Sequence, residues 1–128
     1  MPIETTWLHG KRVIKMRHSG KVSVEQLVAS ITDLQAMALS GVRPVHLFID
    51  ASDAEGRPEV ALGDLKSLVP PTIEAIGWTV VVQPHAIQRF FTALGMQISG
   101  AKYKFVKNEQ EAMNHLLEQD PTLIGVIR

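Results

Sequence analysis

Two short apolar runs constrain this chain most. "VHLFI" (Val45 to Ile49) and "WTVVVQP" (Trp78 to Pro84) are each nearly continuous in large and β-branched residues. Runs of that length are too short for a buried helix, and they lack the polar alternation of a half-exposed strand. They therefore read as strands covered on both faces, the signature of a parallel sheet. Parallel strands need crossover connections, and the intervening sequence supplies helical spacing.

The rest of the chain falls into place around these runs. Thr5 to Leu8 and Arg12 to Met16 read as strands joined by a turn at His9-Gly10, and Gly20 permits a bend after the second. "SVEQ" from Ser23 to Gln26 fits a capping box. The residues Val24, Leu27, Val28, Ile31, Leu34 and Ala38 then repeat on one helical face, and Gly41 suits the C′ position. Leu62, Leu65, Leu68 and Val69 mark a short second helix that Pro70-Pro71 must end. Ile87, Phe90, Phe91, Leu94 and Ile98 mark a third. "KYKFV" (Lys102 to Val106) alternates like a strand. "NEQE" (Asn108 to Glu111) is a second capping box, opening a helix that carries Ala112, Met113, Leu116 and Leu117 and closes at Asp120-Pro121. The expected fold is a single α/β domain: a mixed, mostly parallel five-stranded sheet with about four helices, its first strand antiparallel.

The order of elements, with "VVVQPHAIQRFFTALGMQISGAKYKFVKNEQEAMNHL" as its best-matching part, resembles the STAS domain in its broader SpoIIAA-like branch, the fold of the sporulation anti-sigma-factor antagonist. The resemblance covers about residues 6 to 119. It rests on the turn Leu94-Gly95-Met96 after a helix and on Glu111-Ala112-Met113 in the terminal one. It implies a non-enzymatic regulatory or protein-interaction domain. Regulated members carry a phosphorylated serine at the start of the second helix. That place falls near Arg57 to Val60, and "RPEV" has no hydroxyl, so the phospho-switch is expected to be absent. The branch is also similar to lipid-binding Sec14-type folds, which implies a carrier of a small apolar ligand as the alternative.

The residues themselves favour no reaction. Thirteen basic residues balance thirteen acidic ones, which argues against a broad nucleic-acid footprint. There is no cysteine and therefore no thiolate chemistry. The N-terminus has no apolar stretch before a cleavage site, and no apolar run approaches a membrane span, so a cytoplasmic location is expected. His9, His18, His46, His85 and His115 show no metal-ligand spacing, and nucleotide-loop and nucleophile-elbow motifs are missing. The expectation is no enzyme, no cofactor and no metal. His46 reads as a hydrogen-bonded histidine near its strand's start, and His85 as a capping or surface residue.

Two places carry functional expectations. The polar stretch after Ile49 holds Asp50, Ser52, Asp53, Glu55 and Arg57. As a long loop at the carboxyl end of a parallel strand, it is expected to contact a protein partner, with Ser52 its one plausible phosphoacceptor. Phe90, Phe91 and Leu94 would border an apolar ligand. Residues 1 to 121 form the domain. The apolar tail "TLIGVIR" (Thr122 to Arg128) is expected to dock, on its own chain or on a second copy as a homodimer, with an added edge strand as one form.

Overall fold

The computed structural model describes residues 3–21, 23–54, 76–85, 89, 93 and 102–127. Five strands form one sheet in the order β1-β2-β3-β4-β5. These are β1 (Ile3–His9), β2 (Val13–Gly20), β3 (Val45–Ala54), β4 (Ile76–Val82) and β5 (Lys102–Val106). β1 lies antiparallel on β2, and β2 through β5 are parallel neighbours. The tight turn before β2 dictates the first pairing. Gly10 has a φ of 54°, in the left-handed region where a side chain is unfavourable. Gly20, with φ 62°, ends β2 in the same way.

Helix α1 (Val24–Ser40) forms as its capping box requires. The Ser23 side chain accepts from the Gln26 N–H at 3.1 Å, and the Gln26 side chain accepts from the Ser23 N–H at 2.8 Å. α1 packs on one face of the sheet, where Leu34 and Ala38 meet Ile14, Met16, Leu47, Ile49 and Val81. Val28 of the same helix is 43% exposed, off the buried stripe. Gly41 does not take the left-handed C′ conformation; its φ is −85° and its backbone is extended. Glycine is required there by close approach. A Cβ would stand 2.7 Å from both Trp7 Cη2 and Val45 Cγ2, and 2.8 Å from the Lys11 carbonyl.

Helix α2 (Glu109–Gln119) covers the opposite face. Asn108 caps it by accepting from the Glu111 N–H at 2.9 Å. Ala112, Met113 and Leu116 pack against Val13, Phe48, Val80 and Val82. Lys15 of β2 reaches Glu109 at 3.1 Å, tying the helix start to the sheet.

Two expectations change. β3 is longer than expected: it continues through Asp50, Ser52 and Asp53 to Ala54, so these residues belong to a strand end and not to a loop. Its polar tip stays in the ladder by pairing with Ser19 and Gly20 past a register shift at which β3 carries one residue more than β2. The tail forms no strand. Pro121–Leu123 make a 3₁₀ turn and Ile124–Ile127 a short helix, α3. Only part of the tail's apolar surface is covered. Leu123 is fully buried on its own chain, whereas Ile124 is 58% and Val126 36% exposed. The expected second helix, with Leu62 to Val69, lies outside the described residues, as does most of the third.

Candidate functional site at the carboxyl edge of the sheet

Parallel sheets place recognition and chemistry at the carboxyl ends of their strands. Here β2 and β3 deliver Arg17, His18, Asp50, Ser52 and Asp53 to that edge. Parallel pairing sets Arg17 beside Asp50 and Ser19 beside Asp53. Ser52 and Asp53 are exposed and Asp50 is half-buried.

Two interactions shape the edge. Asp50 Oδ1 accepts the Ser52 backbone N–H at 3.1 Å and the Ser52 hydroxyl at 2.6 Å, which rigidifies the strand tip. The Arg17 guanidinium donates from Nη2 to Asp53 Oδ2 at 2.6 Å. That bond, with the charge of Asp53 and then of Glu4 and Asp50, holds Arg17 more firmly protonated than an isolated arginine. Among the described residues, the carboxylates of Asp53, Glu4 and Asp50 thus all act on the one guanidinium of Arg17.

His18 lies beneath this edge. Its Nε2 is buried and has no hydrogen-bond partner among the described residues. Burial lowers its pKa below the ordinary histidine value, against the opposing charge of Asp50. His115 is similar at a different place. It is buried edge-on to Trp78 with ring centroids 4.7 Å apart, its Nε2 is likewise unpartnered, and burial lowers its pKa.

His46 sits at the other end of the sheet, and both its ring nitrogens are engaged. Nδ1 accepts the Trp78 backbone N–H at 3.0 Å, and Nε2 donates to Asp120 Oδ2 at 2.8 Å. The expected hydrogen-bonded histidine is what the structure contains. With no nitrogen free, this buried His–Asp pair is unable to serve as a general base. His85 is exposed, and its backbone N–H donates to Gln83 Oε1 at 3.1 Å.

The structure brings Asp50, Ser52 and Asp53 together. Glu55, Arg57, Phe90, Phe91 and Leu94 lie outside the described residues. Sequence reasoning missed Arg17, which among the described residues is the cation bonded to Asp53. Its signal was its place at the carboxyl end of a strand adjacent to β3. The Ser52 hydroxyl is bonded locally to Asp50, and among the described residues no group of three or more histidines, aspartates or glutamates gathers to hold an ion.

No protein-family model and no curated protein matches the chain. A solved structure does: an uncharacterized protein of the DUF3478 family from Shewanella loihica PV-4, described as having a SpoIIAA-like fold. It is 20% identical, with a TM-score of 0.57, over 88% of this chain and 98% of that one. The fold is SpoIIAA-like. This agrees with the resemblance seen in "VVVQPHAIQRFF" and its continuation, and with the mixed five-stranded sheet expected from the order of elements. No described helix is long and apolar enough to cross a membrane.

Proposed function

We propose that the chain is a non-enzymatic regulatory domain of STAS-like type, whose carboxyl edge from Asp50 to Asp53 docks a protein partner bearing lysine or arginine side chains. The observation that carries the reading is the arrangement of that edge. Asp50 and Asp53 are held in fixed positions on a strand by Ser52 and Arg17, yet Asp53 is exposed and Asp50 is half-open to solvent. Preset charges on a rigid element favour specificity and fast encounter over tight hydrophobic binding. The edge offers no large apolar anchor in its described residues, which suits transient, salt-sensitive contact.

Ser52 gives this surface a means of control. A phosphate there would stand beside Asp50 and break the hydroxyl bond it now makes. Arg17 is the cation that could turn from Asp53 toward it. The test is binding of a panel of lysine- and arginine-rich peptides to wild type and to the Asp53→Lys and Ser52→Glu variants. Binding to wild type that weakens at least tenfold in Asp53→Lys supports the reading. Equal binding to all three removes it.

A further inference from the structure

The end of the sheet opposite the candidate site holds a buried polar cluster that joins four parts of the chain. Arg12, from the turn between β1 and β2, donates from Nη2 to Asp120 Oδ2 at 2.8 Å and to Thr122 Oγ1 at 2.8 Å. Its Nε donates to the Pro44 carbonyl at 3.1 Å. Asp120, at the end of α2, also accepts from the Thr122 N–H at 3.1 Å and from the Thr122 hydroxyl. His46, at the start of β3, is only 2% exposed and donates to the same carboxylate. Asp120 is therefore the carboxylate on which the bonds from Arg12, His46 and Thr122 converge, at the root of the segment from Pro121 to Ile127.

The tautomer of His46 follows from its partners. The Trp78 N–H can only donate, so Nδ1 must accept and carry no proton. Gly77 makes this approach feasible, because a Cβ there would stand 2.8 Å from His46 Cε1 and 3.0 Å from Nδ1. A second proton on the ring has one place to go, Nδ1, where it would point directly at the Trp78 N–H. The ring would have to turn, and turning breaks its bond to Asp120 as well.

We propose that the His46–Asp120–Arg12 cluster is an acid-sensitive latch, whose release on protonation of His46 frees the C-terminal segment Pro121–Ile127 from the sheet while the five strands remain folded. Among the described residues, the charged groups facing His46 are Asp120, which favours its protonation, and Arg12, which opposes it, while β4 presents the Trp78 N–H and Gly77. Burial outweighs the carboxylate, so His46 stays neutral to a lower pH than an ordinary histidine. The segment is suited to separate release. It is short and terminal, and its α3 residues Ile124 and Val126 are already exposed. Its apolar hold consists of Leu123 and Ile127, seated in the cluster of Val13, Phe48, Val80 and Leu116. Release would open that seat, so in acid the protein would present apolar surface that is covered near neutrality.

The test is solution NMR of the full ¹⁵N-labelled chain between pH 8 and pH 4.5. At pH 8 the His46 ring should show the Nε2–H tautomer. As pH falls through the His46 titration, order parameters of Leu123, Gly125 and Ile127 should drop from roughly 0.85 to below about 0.6, the rigid and flexible scales, while those of β2 to β4 stay high. In His46→Gln, whose amide does not titrate, the order of the segment should no longer follow pH. An Nδ1–H tautomer in the wild type overturns the proposal. So does a segment that stays rigid after His46 is protonated, or a sheet that loses order at the same pH as the segment. The His115→Gln variant separates the two buried histidines near Trp78: it should keep the transition, and losing it would assign the switch to His115 instead.

Discussion

Arg17 reaches diagonally from β2 to hold the Asp53 carboxylate at 2.6 Å, beside the register pair that sets Arg17 against Asp50. The pair is half-open to water, with side-chain exposures of 48% and 57%. Such pairs organise a surface more than they stabilise a fold. Arg17→Ala and Asp53→Ala should each change unfolding free energy by no more than about 1 kcal/mol. The double-mutant coupling should fall further in 0.5 M salt. Denaturant titrations of the two single variants and the double variant measure it.

Gly41 offers a sharper structural test. Its missing side chain lets the end of α1 pass between Trp7, Val45 and the Lys11 carbonyl. Gly41→Ala places a methyl within 2.8 Å of two side-chain atoms, on Trp7 and Val45, and of the Lys11 backbone carbonyl. The expected loss is about 1–3 kcal/mol, the usual range for overpacking. If alanine were accepted without loss, the approach of α1 to the hairpin would be looser than described.

Among the described residues of the tail, Leu123 is the one fully buried side chain. Leu123→Ala should cost about 2–5 kcal/mol, the range for a deleted core leucine. Ile124→Ala, at an exposed position, should cost well under 1 kcal/mol. The contrast between two adjacent residues, read by chemical denaturation, distinguishes a docked 3₁₀ turn from a tail that merely lies on the surface.

Stability should fall on acidification, beginning near pH 6.5. His18, His46 and His115 all titrate lower in the folded protein than the ordinary value of 6.5, each chiefly because burial disfavours the charged ring. Below pH 6.5 the unfolded chain binds protons that the folded one refuses, so folding weakens as pH drops. Asp120 acts later. Bonds from His46 and Thr122 outweigh its burial and hold its pKa below 3.8, so its contribution is present above that pH and disappears as pH falls through the folded value. Thermal melts from pH 8 to pH 5 should show a monotonic decline, and a flat profile would contradict the burial of these rings.

Much of the fold was legible because its signals are local. The Ser23–Gln26 box, the Gly10 turn and the apolar runs of β3 and β4 each announce an element within a few residues. The tip of β3 was not, because Asp50, Ser52 and Asp53 resemble a turn, and only pairing with Ser19 and Gly20 keeps them extended. The tail misled for a related reason. "TLIGVIR" has β-type composition, but Asp120 caps a new helical turn through the Thr122 N–H, and Pro121 suits its first position. Asp120 had looked like a helix terminator alone. The candidate site was half legible: Asp50, Ser52 and Asp53 could be named, whereas Arg17 required knowing which strand neighbours β3. The contact between His46 and Asp120 spans 74 positions, beyond any local pattern.

The most direct test of the recognition surface is isothermal titration of the most tightly bound cationic peptide from the panel against wild type, Asp53→Lys and Asp50→Ala, at 50 and 300 mM salt. The account predicts measurable binding to wild type, a loss of at least tenfold in Asp53→Lys, a smaller loss in Asp50→Ala, and weakening at the higher salt. Affinity that is unchanged by both substitutions and by salt would contradict it.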